Sequence, residues 1–394
     1  MQPRIVLSTL GSLGDLHPFM ALGLALRARG ADRAQLTRAV LGRNDFLLRR
    51  LIMPHLQASY DDMLALMQGA DMVLTSSLGF GARLAAERCA IPWVAVVLQP
   101  LMFLSAFDPP VIPKIELLSS LLRILGPKAT RWMLRAFKYA LARQLKPVRD
   151  LRKRIGLAST RENPLFEGQF SPAGAIGLYS PLLGAIRDDY PQPVEIAGFA
   201  YFDSEDGADT VLEPSLDEFL DAGARPVVFT LGSLIVNHPG SFYRESLAAA
   251  RILGKRAVLL VGENAAAGFS GCTSPEVHVA AYAPYSLLFP RAESIVHQGG
   301  IGTLAQALRS GRPQLIVPFY ADQIDNASRA VRLGVARRVA PRRYAARSAA
   351  RLLAKLAAEP AQLLKAARVR EVLSREDGAA QAACFVMNRL DLRS

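Results

Sequence analysis

The chain alternates short apolar runs with stretches of helical spacing, and it does so twice. In the first half, residues 4–10, 71–75 and 93–98 read as strands, with helices at 19–29 and 81–88 and a turn-rich loop at 11–18. After Arg225 the pattern returns, with strands at 226–231, 257–261, 277–280, 294–297 and 315–318. Helices at 242–253, 304–310 and 326–333 fall among them. Strands that alternate with helices imply a parallel sheet covered on both faces. The expected fold is therefore α/β, with two tandem Rossmann-like, doubly wound domains. Residues 201–214, rich in Asp, Gly, Glu and Ser, read as the linker. This gives an N-terminal domain over residues 1–200 and a C-terminal domain over 215–394, the latter ending in C-terminal helices at 344–390. A chain of 394 residues can fill two such cores.

One stretch breaks the pattern. Between Gly30 and Met72 there is no apolar strand, only helical material at 46–53 and 60–67. A βαβ unit takes roughly 30 residues and would place a strand soon after Gly30. The gap implies a shortened domain or a segment missing from the chain, and the missing segment is the preferred reading.

Composition removes several alternatives. The opening residues read as a buried strand rather than a signal peptide. The uncharged stretch 89–107 is interrupted by Pro92, Gln99 and Pro100. A membrane-spanning helix needs about 20 apolar residues, so this stretch reads as a strand running into an apolar loop. Cys89, Cys272 and Cys384 are few, distant and odd in number, which predicts core residues in a reducing cytoplasm rather than a disulfide framework. The net charge of +13 calls for an anionic partner. No basic-aromatic groove, zinc finger or recognition helix accompanies it, so nucleic acid is not expected. Much of the charge falls between Lys114 and Arg154, where basic residues recur among leucines. That pattern suits peripheral contact with an anionic membrane at its inner face, with an ordinary solvated helix face as the competing reading.

The richest motif runs from His297-Gln-Gly-Gly-Ile-Gly302-Thr303 through Gly311-Arg-Pro313 to Asp322-Gln323-Ile-Asp-Asn326. A strand ends at His297 and a helix opens near Thr303. Glycines between them let backbone N–H groups close on an anion at the helix N-terminus, where the dipole also favours negative charge. A diphosphate is the natural guest, with His297 adding a hydrogen bond or a positive charge. Asp322 and Gln323, after the next strand, offer donors and acceptors for sugar hydroxyls. Sheets of this type bind ligands beyond the carboxyl ends of their strands.

With Tyr282, Ala283 and Pro284 before it, this run resembles the donor-sugar signature of family 1 glycosyltransferases, the UDP-glycosyltransferase superfamily of GT-B fold, in which two Rossmann-like domains face a cleft. The resemblance implies a donor site formed by Gly14, Ser233, Tyr282, Ala283, His297, Gly299, Gly300, Gly302, Thr303, Asp322 and Gln323, with Ser233 in the Thr230-Leu-Gly-Ser233 turn closing on the phosphates. Plant-type relatives place tryptophan where Tyr282 stands and a ribose-binding glutamate where Ala305 stands. These departures leave both UDP- and dTDP-sugars open as co-substrate.

Gly11-Ser-Leu-Gly14-Asp15-Leu-His17-Pro18 resembles the opening loop of bacterial, sterol and rhamnolipid-type members. Glycosyl transfer needs a base within reach of the acceptor hydroxyl. Asp15 occupies the place of the histidine in many plant members and is assigned that role; His17 is the alternative, or orients the acceptor. Residues 98–110 resemble the acceptor loop, giving Phe103, Phe107 and Asp108 as candidate contacts for a small apolar or lipid-like acceptor, though the same side chains would suit a core. No metal-ligand spacing and no Asp-x-Asp occurs, so no metal and no cofactor beyond the nucleotide sugar is expected. The expected enzyme is an inverting hexosyltransferase acting on glucose first, rhamnose second. A non-catalytic nucleotide-sugar-binding module or another GT-B enzyme is the alternative.

Overall fold

The computed structural model describes residues 3–10, 13–29, 32–39, 52–112, 116–203, 210–236, 238–263, 267–319 and 322–391. The chain forms two compact units, Met1–Phe202 together with Glu376–Ser394, and Asp203–Arg375.

The first unit is built on a parallel sheet of order β2-β1-β3-β4-β5-β6. Its strands are β1 (Arg4–Leu10), β2 (Asp32–Ala39), β3 (Met72–Ser76), β4 (Trp93–Val97), β5 (Ala175–Gly177) and β6 (Val194–Ile196). Its helices are α1 (Leu13–Ala28), α2 (Leu56–Leu66), α3 (Phe80–Arg88), α4 (Glu116–Leu125), α5 (Pro127–Ala142) and α6 (Lys146–Arg154). Val6 and Val73 face a core that includes Leu56, Tyr60, Phe80, Leu84, Met133 and Leu134.

The second unit carries a parallel sheet of order β12-β11-β10-β7-β8-β9. The strands are β7 (Val227–Thr230), β8 (Ala257–Leu260), β9 (Val277–Ala280), β10 (Ser294–His297), β11 (Gln314–Ile316) and β12 (Ala336–Arg338). Helices α7 (Pro214–Asp221), α8 (Phe242–Leu253), α9 (Ile301–Ser310), α10 (Gln323–Arg332), α11 (Ala346–Ala357) and α12 (Pro360–Leu373) belong to this unit, and α13 (Gly378–Asp391) to the first. Alternation along the strands splits its apolar residues between two faces. Val227, Phe229, Leu259 and Val296 pack with Phe242, Leu247 and Leu353. Val228, Val258, Leu260 and Ile295 pack with Leu216, Leu220, Phe289 and Ala307. Both faces are buried, which is why these strands read as continuous apolar runs.

Four expectations need correction. A strand does follow Gly30: β2 pairs in parallel with β1, Leu36 opposite Leu7. Its sequence, Asp-Arg-Ala-Gln-Leu-Thr-Arg-Ala, gives no apolar signal because it lies at the sheet edge, next to one strand only. The sheet therefore needs no missing segment to supply it. The helix expected over 46–53 falls largely outside the described residues. Helix α1 begins at Leu13, so Asp15 and His17 stand on its first turns rather than in a loop, with Pro18 inside it. Cys89 and Cys384 are exposed rather than core, while Cys272 is half-buried and packs against the core of the second unit; Cys89 sits at the C-cap of α3, where the helix leaves the core.

The fourth correction concerns the tail. Helix α13 packs on α1 rather than completing the second unit. Ser180 bonds the Glu376 carboxylate at 2.7 Å, and a Cβ on Gly378 would lie 2.4 Å from the Gly198 carbonyl oxygen. Close backbone approach of this kind needs glycine, and no local pattern announces which unit the helix will join.

Candidate nucleotide-sugar site

The second sheet reverses direction at β7. Strands β8 and β9 continue on one side, while β10, β11 and β12 follow on the other. The segments leaving β7 and β10 therefore flank a crevice at the carboxyl end of the sheet, where such folds hold ligands. The glycine turn and the Gly232-Ser233 turn both leave from here.

Gly299 has φ +85°, and a Cβ there would lie 2.8 Å from Ile316 Cγ2. Gly300 is the N-cap of α9, and its carbonyl accepts the helix's first bond, from Leu304 N–H at 2.9 Å. The N–H groups of Ile301, Gly302 and Thr303 precede that bond and lie at the open positive end of the helix. Asn326 secures the turn from α10: its side-chain amide donates to the Gly299 carbonyl at 3.1 Å and to Asp322 Oδ2 at 2.9 Å.

His297 is fully buried, and both its ring nitrogens have partners within the second unit. Its Nδ1 accepts the Gly299 N–H at 3.1 Å, and its Nε2 lies 3.0 Å from Gln314 Oε1. Burial lowers its pKa to about 4, against a smaller opposing effect of the Gln314 bond. The ring is therefore neutral at physiological pH, with Nε2–H donating to Gln314. It shapes the glycine turn and brings no positive charge to it, because desolvation outweighs one neutral hydrogen bond.

The two glycine turns meet. Gly232 has φ +62°, and a Cβ there would overlap Gln298 Nε2 and lie 3.2 Å from Thr303 Oγ1. Gln298 Nε2 donates to Thr303 Oγ1 at 3.2 Å, while its Oε1 is buried without a partner. Thr230 Oγ1 accepts the Gly232 N–H at 3.2 Å and lies 2.8 Å from the Tyr285 hydroxyl. Burial pushes the Tyr285 pKa up to about 12, so the phenol stays protonated.

The structure thus gathers His297, Gly299, Gly300, Gly302, Thr303, Asp322 and Gln323 with the Thr230–Gly232 turn in one unit, Ser233 exposed at its edge. Gln323 is buried, and its Oε1 accepts the Phe319 N–H at 2.9 Å, which ties the side chain to the loop after β11. Tyr282 stands exposed after β9, while the Ala283 side chain belongs to the core. Sequence reasoning missed Gln298, Gln314, Tyr285 and Asn326 as supports. The available signal was a glutamine opening an apolar run, as Gln314 does; the structure buries it fully.

In the first unit the sheet order reverses at β1, whose neighbours are β2 and β3. Gly14, Asp15 and His17 follow β1 directly, at that reversal, while Gly11 and Ser12 lie outside the described residues. Thr9 Oγ1 donates to the Asp15 carbonyl at 3.4 Å, and the His17 ring meets Phe202 edge-on at 5.4 Å. A carboxylate in the first turn of a helix is favoured by the dipole.

The acceptor candidates separate. Phe103 is buried, stacked on Tyr190 at 4.2 Å and facing Phe170 and Tyr179, so it packs as a core residue. Phe107 is exposed beneath the Arg131 guanidinium at 5.3 Å, and Asp108 lies 3.9 Å from Arg123. Asp189 pins this loop, accepting from the Ser105 hydroxyl at 2.6 Å and the Ala106 N–H at 2.7 Å.

Residues 245–382 match the family model described as erythromycin biosynthesis protein CIII-like, C-terminal domain. Among curated proteins, O-mycaminosyltylonolide 6-deoxyallosyltransferase of Streptomyces fradiae is 28% identical over 99% of this chain and 98% of its own. Vancomycin aglycone glucosyltransferase of Amycolatopsis orientalis is 28% identical over 84% of each chain. Among solved structures, the glycotransferase of kitacinnamycin superposes with a TM-score of 0.75 at 21% identity, covering 98% of this chain and 99% of that one. The glycosyltransferase VinC in complex with dTDP gives 0.69 at 18% identity, covering 99% and 100%.

Proposed function

Because the chain is a family 1 glycosyltransferase of GT-B fold, we propose that it transfers a hexose from a UDP- or dTDP-sugar to a hydroxyl of a small, apolar acceptor, with inversion and without a metal. The observation that carries this reading is the cradle at the sheet reversal. The glycines of 299–302 open the N-terminus of α9, and Gly232 leaves room for Gln298 beside it. A diphosphate placed there meets backbone N–H groups and a helix dipole, which stabilise the charge that builds on the leaving group.

The acceptor oxygen attacks the anomeric carbon while the bond from that carbon to the β-phosphate oxygen breaks. Asp15 takes the hydroxyl proton, with His17 as the alternative base, and the nucleoside diphosphate departs. A single displacement inverts the anomeric centre. Glucose is the first candidate and a 6-deoxyhexose the second, consistent with the glucosyl- and 6-deoxyallosyltransferases that the chain resembles. Ala305, buried in α9 where plant relatives carry a ribose-binding glutamate, favours a thymidine nucleotide over uridine.

The test is a thermal-shift and hydrolysis screen with UDP, UDP-glucose, dTDP-glucose and dTDP-rhamnose. A ligand bound only by the folded state raises the midpoint. A shift confined to the thymidine or the uridine set fixes the base, and no shift with any of the four removes the donor assignment.

A further inference from the structure

Helices α4 and α5 present an outward face that an ordinary solvated surface does not explain. On α4 the exposed side chains include Leu118, Leu121, Ile124 and Leu125, with Ile124 82% exposed. On α5, Trp132 and Tyr139 are 75% and 84% exposed. The α5 core face carries Thr130, Met133 and Leu134. Lys128, Trp132, Arg135 and Tyr139 fall four, three and four residues apart and so form a single stripe opposite that face. Surface helices normally keep such positions polar, and a contiguous apolar patch marks an interaction site.

The charge around the patch selects the partner. Residues 116–154 hold eleven Lys and Arg against two acidic residues, a net +9 of the +13 in the whole chain. Lys138, Lys146 and Arg152 pair with Glu167, Asp150 and Glu87. Among the described residues, no salt bridge engages Lys128, Arg135 or Arg143. We infer that α4 and α5 form a docking surface for an anionic lipid bilayer, the Leu and Ile side chains entering the acyl boundary. Trp132 and Tyr139 then sit at headgroup level, and Lys128, Arg135 and Arg143 meet lipid phosphates. A second copy of the chain would bring two strongly positive faces together, and a nucleic acid would leave the aliphatic band without a counterpart. The inference is independent of the donor assignment, and no helix among the described residues is long and apolar enough to cross a membrane.

The full chain is tested by co-sedimentation with phosphatidylcholine vesicles, with and without phosphatidylglycerol, at low and high salt. Binding is expected only with the anionic lipid and is expected to weaken with salt. K128A/R135A is expected to weaken it by roughly thirtyfold, at about one factor of five per cation, and W132A/Y139A to abolish it. Both pairs are exposed, so an unchanged thermal midpoint serves as the folding control. Emission of Trp132, the more exposed of the two tryptophans, shifts to the blue on binding in a W93F background. Equal binding by the double variants and the parent overturns the proposal. So does a dimer dispersed by W132A, or retention by DNA, in the absence of vesicle binding.

Discussion

The side-chain amide of Asn326 donates to the main-chain carbonyl of Gly299 at 3.1 Å, joining α10 to the glycine turn across 27 residues of sequence. The bond is buried, and the same amide also holds Asp322. Removing a partner from a buried carbonyl costs about 1–3 kcal/mol. N326A is therefore expected to lower unfolding stability by that amount in a denaturant titration and to weaken donor binding; a variant with parental affinity would show that the turn holds its shape without Asn326.

Gly232 and Gln298 form a steric pair. G232A places a methyl on the Gln298 amide and forces a left-handed φ on alanine, at a cost of about 1–2 kcal/mol for the backbone alone. Donor affinity should fall. In the double variant G232A/Q298A the overlap is gone and part of the loss should return, as a double-mutant cycle by calorimetry would read. Strict additivity would place the two residues out of contact.

Asp15 is the assigned base. D15A should cut kcat by roughly 100- to 10,000-fold while the dissociation constant for the donor stays near its parental value. H17A should cost less. The reverse order would exchange the two roles, and unchanged turnover in both would exclude each as the base.

Phe103 and Phe107 should separate stability from acceptor use. F103A opens a cavity among Tyr190, Phe170 and Tyr179 and should cost about 3–5 kcal/mol. F107A removes an exposed ring and should leave stability within about 0.5 kcal/mol while raising the acceptor KM. A stable F103A with a raised KM would return that ring to the pocket.

His297 predicts a pH signature. Its folded pKa, about 4, lies below the ordinary 6.5 because burial disfavours the imidazolium. Between those values the unfolded chain binds the proton and the folded chain does not. Stability from this group is whole above pH 6.5 and is lost as pH falls toward 4, by about 3 kcal/mol over the window. H297Q cannot titrate, so its unfolding free energy should fall less steeply over that range. Parallel profiles would mean that His297 is solvated.

The sequence by itself determined the alternation that demands two parallel sheets, because strands buried on both faces must be apolar throughout. It also determined the glycine turn, because only glycine tolerates the φ of Gly299 and Gly232. Tertiary structure alone decided what depends on neighbours distant in the chain. Polar β2 is a strand because β1 supplies its hydrogen bonds, and α13 joins the first unit because Gly198 and Ser180 receive it. His297 is neutral because the surrounding core removes it from water, which outweighs its bond to Gln314, and Phe103 is core because Tyr190 and Phe170 close over it. Periodicity and backbone permissiveness are local and can be read along a chain; desolvation and long-range pairing exist only once the chain has folded.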